Sequence, residues 1–164
     1  RCADVWAALR AREPVIAAAA ARRRTSAQLA GLAEVVADFS ADDLPAGQAV
    51  ECVGRFFRAL GIASGNPVFV IANEPLVQLV EPGLAIIIDR LPQARRRIAT
   101  AQRSIVEALA RRDPESAAEW MRRHIEDFRR GFELAGLPLE TVVGKQEGSD
   151  PRGGDSPLRG QSGV

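Results

Sequence analysis

Apolar residues recur along this chain at three- and four-residue intervals and nowhere alternate over the length of a strand, so the pattern predicts helices throughout. The first stretch, about 4–23, carries Val5, Trp6, Leu9, Val15 and Ile16 followed by an alanine run. Pro14 removes one i→i−4 hydrogen bond there, which predicts a kink or break at Glu13–Pro14. Arg22, Arg23 and Arg24 close the stretch, where cations suit the negative end of a helix. A second helix starts at Thr25, because Thr25 and Gln28 have capping-box spacing ahead of Leu29, Leu32, Val35, Val36 and Phe39. A loop over 40–45 leads to a third helix, about 46–63, with Val50, Val53, Phe57 and Leu60 on one face. It stops at Gly65–Asn66–Pro67: Gly or Asn suits a left-handed C-cap, and Pro67 suits the first position of the next helix.

That fourth helix, about 68–90, is apolar on most sides and is expected to be central and buried. Pro75 and the Pro82–Gly83 pair predict that it is kinked or segmented. A fifth helix, from Pro92 to about 111, turns Ile98, Gln102, Ile105, Val106 and Leu109 inward. Asp113–Pro114 reads as a cap and first position for a sixth, with Ala117, Trp120, Met121, His124, Phe128 and Phe132 on one face as far as Gly136. The fold expected is all-α, an antiparallel bundle of six to seven helices. From 144 to 164 the pattern stops, with 11 of 21 residues Gly, Pro or Ser. Such a segment buries too little surface to offset its ordering entropy, so the expected division is a domain over 1–143 and a disordered tail over 144–164.

Charge narrows the function. Twenty-two basic residues against 21 acidic ones leave a net charge of +1, without the basic excess of a phosphate-binding surface. The triplets Arg22–Arg24 and Arg95–Arg97 therefore read as solvated faces or interdomain contacts. Cys2 and Cys52 make neither a disulfide framework nor a CxxC metal site and read as reduced thiols. Uninterrupted apolar runs such as 15–21 and 84–88 fall short of the roughly 18 residues of a membrane span, and no signal peptide opens the chain. A cytoplasmic protein without membrane contact is expected. A strong helical pattern begins almost at Arg1, which suggests the downstream piece of a longer polypeptide.

The single histidine carries the most chemical information. His124 lies on the apolar face of the sixth helix between Met121 and Phe128, and a buried polar ring left without a partner costs about 1–3 kcal/mol. Gln102, on the inward stripe of the fifth helix, raises the same question. Either the two are satisfied within the core, by each other, by Ser104 or Thr100, or by water, or they line a ligand cavity whose few polar groups orient a mostly apolar guest. One His and one Gln are not a zinc ligand set. No nucleophile–base pair or glycine-rich phosphate loop stands out, so no enzymatic activity is expected. Arg58, next to Phe57, and Arg10 could reach inward to a carboxylate.

Several short motifs occur in a telling order: Glu13–Pro14 in the first helix, Arg55-Phe56-Phe57-Arg58-Ala59-Leu60 leading into Ala63-Ser64-Gly65-Asn66-Pro67, then Ser104-Ile105-Val106-Glu107-Ala108-Leu109, Asp113 and Met121-Arg122-Arg123-His124. Over about 5–136 the chain resembles the C-terminal effector-binding domain, the FCD domain, of GntR-type transcriptional regulators of the FadR subfamily. The resemblance implies a helical bundle that forms a homodimer, senses a small-molecule effector, and meets operator DNA only through an N-terminal winged helix-turn-helix that this chain lacks. Many family members hold a divalent metal through an Asp, a His four residues later and two further His. Those positions fall here on Val53, Phe57, Gln102 and His124, and only the last is kept. The implied site is therefore metal-free and cofactor-free, with Val53, Phe57, Arg58, Gln102 and His124 as candidate ligand-binding residues for an apolar or acyl effector. The family's inward arginine of the first helix falls on Leu9, beside Arg10. Alternative readings are a bundle that only dimerises around a decayed site and, less favoured, an all-α metal enzyme. A void around Gln102 and His124 distinguishes sensing from a core in which Phe57 and Trp120 fill the space.

Overall fold

The computed structural model describes residues 2–41 and 43–137, side chains 2 and 3 excepted; the expected tail and the end of the domain, 138–164, lie outside the described residues. Six helices and no strand make up the described residues: α1 (Cys2–Arg23), α2 (Ser26–Phe39), α3 (Ala46–Ala63), α4 (Pro67–Arg90), α5 (Pro92–Ala110) and α6 (Pro114–Leu134). Their starts follow the local chemistry. The Thr25 hydroxyl accepts from the Gln28 N–H while the Gln28 amide oxygen accepts from the Thr25 N–H, so two orphan donors are satisfied reciprocally. Asn66 and Asp113 accept from Val68 and Ser116 in the same way, each just ahead of a proline in the first turn.

The end of α5 departs from the usual glycine rule. Arg112 takes the left-handed conformation, φ 54°, which costs a non-glycine residue about 1–2 kcal/mol. Asp113 N–H reaches back to Ala108 C=O and Arg112 N–H to Leu109 C=O, the paired bonds of a Schellman ending. The Arg112 guanidinium then donates to the carbonyls of Arg22 and Arg24 at the end of α1, 3.0 and 3.3 Å. Arg24 in turn is buried and donates to the carbonyls of Leu109 and Ala110 at the end of α5, 3.1 and 3.0 Å. Each helix end is thus capped by an arginine at the end of the other. The first arginine triplet is accordingly only partly a solvated face: Arg22 and Arg23 are exposed, Arg24 is not.

The breaks expected at Pro14 in α1 and at Pro75 and Pro82–Gly83 in α4 do not occur, and the central place expected of α4 is corrected. α1 runs unbroken through Pro14; Leu9, Pro14, Ile16, Ala17, Ala20 and Ala21 are all buried, and this packing along both halves of the helix outweighs the one lost hydrogen bond. α4 is likewise one helix through Pro75 and Pro82, and it is not central. α1 packs against α3, α4, α5 and α6 through a buried alanine face; α4 also meets four helices but leaves most of its side chains at least partly uncovered. α4 buries only Asn73, Val80, Leu84, Ile87 and Ile88, while Val68, Ile71 and Leu79 face outward, Ile71 at 74% exposure. By length and composition α4 is apolar enough to cross a membrane, and 28% of its most apolar window is buried in the bundle. Counting uninterrupted runs missed this, since Asn73, Glu74, Gln78 and Glu81 break the run without removing its apolar character.

Candidate functional site

α5 and α6 form a hairpin about the turn at 111–113, and that turn sets the level of the site. Gln102 lies ten residues before Arg112 and His124 twelve after it, so at about 1.5 Å per residue the two stand within about 3 Å of the same height. Both side chains are fully buried. Neither Gln102 Oε1 nor Nε2, and neither His124 Nδ1 nor Nε2, has a hydrogen-bond partner among the described residues, so satisfaction of the pair by each other, by Ser104 or by Thr100 is not what the structure contains.

α3 supplies the wall. The Phe57 ring lies parallel to the His124 imidazole, 3° between planes and 5.8 Å between centroids, and Phe128 leans on the imidazole at 4.4 Å. Phe56 meets it edge-on at 6.5 Å. This apolar enclosure disfavours the imidazolium, and burial alone pushes the His124 pKa down to about 3. At neutral pH the ring is neutral, with one nitrogen donating and the other accepting.

Val53 and Phe57 also line a small, mostly apolar cavity of about 20 Å³, room for a single water-sized body, lined further by Trp6, Leu9, Val80, Leu84, Ile125, Phe128 and Phe132 and by Glu81. Phe57 and Phe128 border both this cavity and His124. Of the two aromatic residues expected to fill the core, Phe57 does so and Trp120 does not: Trp120 is half-buried with the Arg123 guanidinium 5.1 Å from its ring. The structure therefore brings Val53, Phe57 and His124 together, with Gln102 at the same level of the neighbouring helix. Arg58 stands apart, on the outer face of α3, where its guanidinium pairs with the Glu74 carboxylate at 2.6 and 3.1 Å. Arg10 is exposed and Leu9 is the buried neighbour.

A polar cluster that the sequence reading did not assemble lies between α1, α3 and α4. Arg12 donates to Ala72 C=O at 2.7 Å, to Asn73 Oδ1 at 2.8 Å and to Glu13 Oε1 at 3.1 Å, and Asn73 donates to Phe57 C=O at 3.4 Å. Glu13 is fully buried with Oε2 unpartnered; burial raises its pKa, opposed by the hydrogen bond and charge of Arg12. The available signal was Asn73, a polar residue inside the apolar run of α4, but its partner on α1 is 61 residues away.

The model of the FCD domain family matches residues 4–127 of the chain. The chain belongs to this family. Among solved structures it is similar to a GntR protein of Streptococcus agalactiae, 26% identical with a TM-score of 0.64; the match covers 79% of this chain and 58% of that one. No curated protein matches the chain. Membership implies a regulatory, effector-binding role, in keeping with the helical bundle.

The four positions to which the resemblance assigns metal ligands, Val53, Phe57, Gln102 and His124, do not make a divalent-metal donor set: Val53 and Phe57 offer no ligand atom, and a glutamine amide is a weak donor. Among the described residues no three His, Cys, Asp or Glu side chains converge on a possible metal position.

Proposed function

We propose that this FCD domain is the effector-sensing and dimerisation domain of a cytoplasmic GntR-type regulator of the FadR type, taking a small apolar or acyl effector into the bundle core without metal. It acts as a binding module and not as an enzyme, and it reaches operator DNA only through a winged helix-turn-helix outside this chain. The observation that carries the reading is that Gln102 and His124 are both fully buried and without hydrogen-bond partners among the described residues, His124 within an aromatic enclosure. Such a pair costs stability unless something else hydrogen-bonds it, so its presence in the core suits a ligand. Regulation requires that this ligand bind the DNA-competent and incompetent arrangements with different free energies.

Native mass spectrometry of the purified domain, beside a denatured control and with elemental analysis of the same sample, tests this. Co-purified organic mass without stoichiometric metal is the expected result; a stoichiometric metal would overturn the reading of Val53, Phe57 and Gln102. One observation favours a second reading, a bundle that only dimerises: Phe57 already packs on His124. A domain that is dimeric, carries no organic mass and gains no thermal stability from a library of small apolar compounds would establish that alternative.

The outward stripe of α4 is proposed as the homodimer interface. Val68, Ile71, Pro75, Leu79 and Pro82 recur along about 21 Å of helix with no charged side chain among them. A two-fold axis across such a stripe lets it cover its own copy. Ile71→Glu places a charge in the middle of it, and light scattering at micromolar concentration is expected to report a monomer with unchanged helicity. A dimer that survives Ile71→Glu locates the interface elsewhere.

A further inference from the structure

Resting on the core-effector reading above, we infer that the effector has an uncharged head that both donates and accepts hydrogen bonds, a primary amide or hydroxyl on an alkyl or aromatic body, and that carboxylates and phosphates are excluded. The first ground is hydrogen-bond complementarity. Gln102 and a neutral His124 together present donors and acceptors in equal number, all unpartnered and fully buried. A carboxylate accepts only and would leave Gln102 Oε1 and one imidazole nitrogen unsatisfied.

The second ground is the placement of the cations. Arg24 is the buried arginine, and its guanidinium is taken up by the carbonyls of Leu109 and Ala110. Arg12, part-buried, gives its two terminal nitrogens to Ala72, Asn73 and the Glu13 carboxylate and keeps only Nε without a partner, so its charge is already paired with Glu13, whose second oxygen is an unpaired acceptor. Arg10 is exposed, and Arg58 lies on the surface against Glu74. An anion entering beside His124 would lose its hydration without gaining a counter-charge. Burial also keeps the imidazole neutral near pH 7, so it supplies none.

The third ground is the wall. The cavity beside Phe57 is lined by Trp6, Leu9, Val80, Leu84 and Phe132 together with Glu81, which offers an anion no counter-charge, so the part of a ligand reaching it must be apolar. Phe57 stands between that cavity and the imidazole. Rotation of its ring joins the apolar space to the polar pair, and the ligand replaces the ring on His124.

Calorimetric titration of the domain at pH 7.5 with octanamide, 1-octanol and octanoate tests the inference, with long-range ¹H–¹⁵N correlation spectra read in parallel. The chain has one histidine, so the imidazole nitrogens report on His124 alone. The expected result is binding of octanamide and 1-octanol, octanoate weaker than octanamide by about 100-fold, and movement of the His124 nitrogen signals with octanamide. Gln102→Leu and His124→Leu, both of which put apolar atoms into an apolar core, are each expected to weaken octanamide by about 10-fold while the far-ultraviolet spectrum is kept. Octanoate binding as tightly as octanamide would overturn the uncharged head and leave the core site standing. Octanamide binding with unmoved imidazole signals would overturn the placement on His124. No binding of any of the three by the folded domain would overturn the core-effector reading together with this inference.

Discussion

Acidification from pH 7 to pH 5 is expected to cost the folded domain about 2 kcal/mol through His124 alone. The imidazole is enclosed by Phe57, Phe56 and Phe128, and burial holds its pKa at about 3 against 6.5 in the unfolded chain. Below pH 6.5 the unfolded chain takes up a proton that the folded one refuses until about pH 3. Stability is therefore fully present above pH 6.5 and is lost as the pH falls through that window. Glu13 acts in the opposite sense. Its folded pKa is raised above 4.5, so between 4.5 and the folded value the native state holds the extra proton and gains stability as the pH falls. Urea unfolding of the wild type and of His124→Leu at pH 7 and pH 5 separates the two. The variant is expected to lose the downward slope and to be more stable at pH 7 by about 1–2 kcal/mol, since an unpartnered polar ring has been replaced by an apolar group. Equal slopes in the two proteins would remove His124 as the cause.

Gly83→Ala is expected to destabilise the domain by about 1–2 kcal/mol, against the direction set by helix propensity. Alanine in a helix interior is worth about 1 kcal/mol over glycine. At Gly83, however, an added methyl would stand 2.2 and 2.3 Å from the Phe132 ring. That ring is buried and meets Trp6 edge-on at 5.0 Å, so it cannot swing aside without disturbing the wall of the core cavity. Overpacking of this kind costs about 1–3 kcal/mol, enough to overcome the propensity gain. Gly31, in the interior of α2 with nothing within 4 Å of an added methyl, is the control: Gly31→Ala is expected to raise stability by about 0.5–1 kcal/mol. Chemical denaturation of both variants settles the signs, and a stabilised Gly83→Ala would mean that Phe132 has room to move.

The helices were legible wherever a cap and a period agreed. Thr25 with Gln28, Pro67, and Asp113 with Pro114 each start a helix where the local chemistry requires one, whereas Asn66, read as a possible C-cap, is the N-cap of α4, and Gly65 takes the left-handed conformation. What the sequence could not convey was rank among apolar helices. α4 has larger apolar side chains than α1, yet it is the alanine-rich α1 that is buried along both its halves while Val68, Ile71 and Leu79 of α4 face outward. The core pair was legible for a related reason: His124 and Gln102 are polar interruptions of otherwise apolar stripes, and both are buried as the stripes require. Arg58 shows the limit. Its neighbour Phe57 turns inward, and one helical position, about 100°, carries Arg58 outward to Glu74. Arg12, Glu13 and Asn73 were harder still, since aiming three polar groups across two helices depends on tertiary register.

The arginines exchanged between the ends of α1 and α5 have a mechanical meaning. Four guanidinium–carbonyl bonds couple the tip of the α5–α6 hairpin to the end of α1 and the start of α2, so the hairpin is hinged to its neighbours at one tip. On the effector reading proposed above, spreading of α5 from α6 around a guest near Gln102 and His124 would work as a lever about that fulcrum. Displacement would then be smallest at Arg112 and largest at the opposite end of the bundle, where α6 ends and α1 begins.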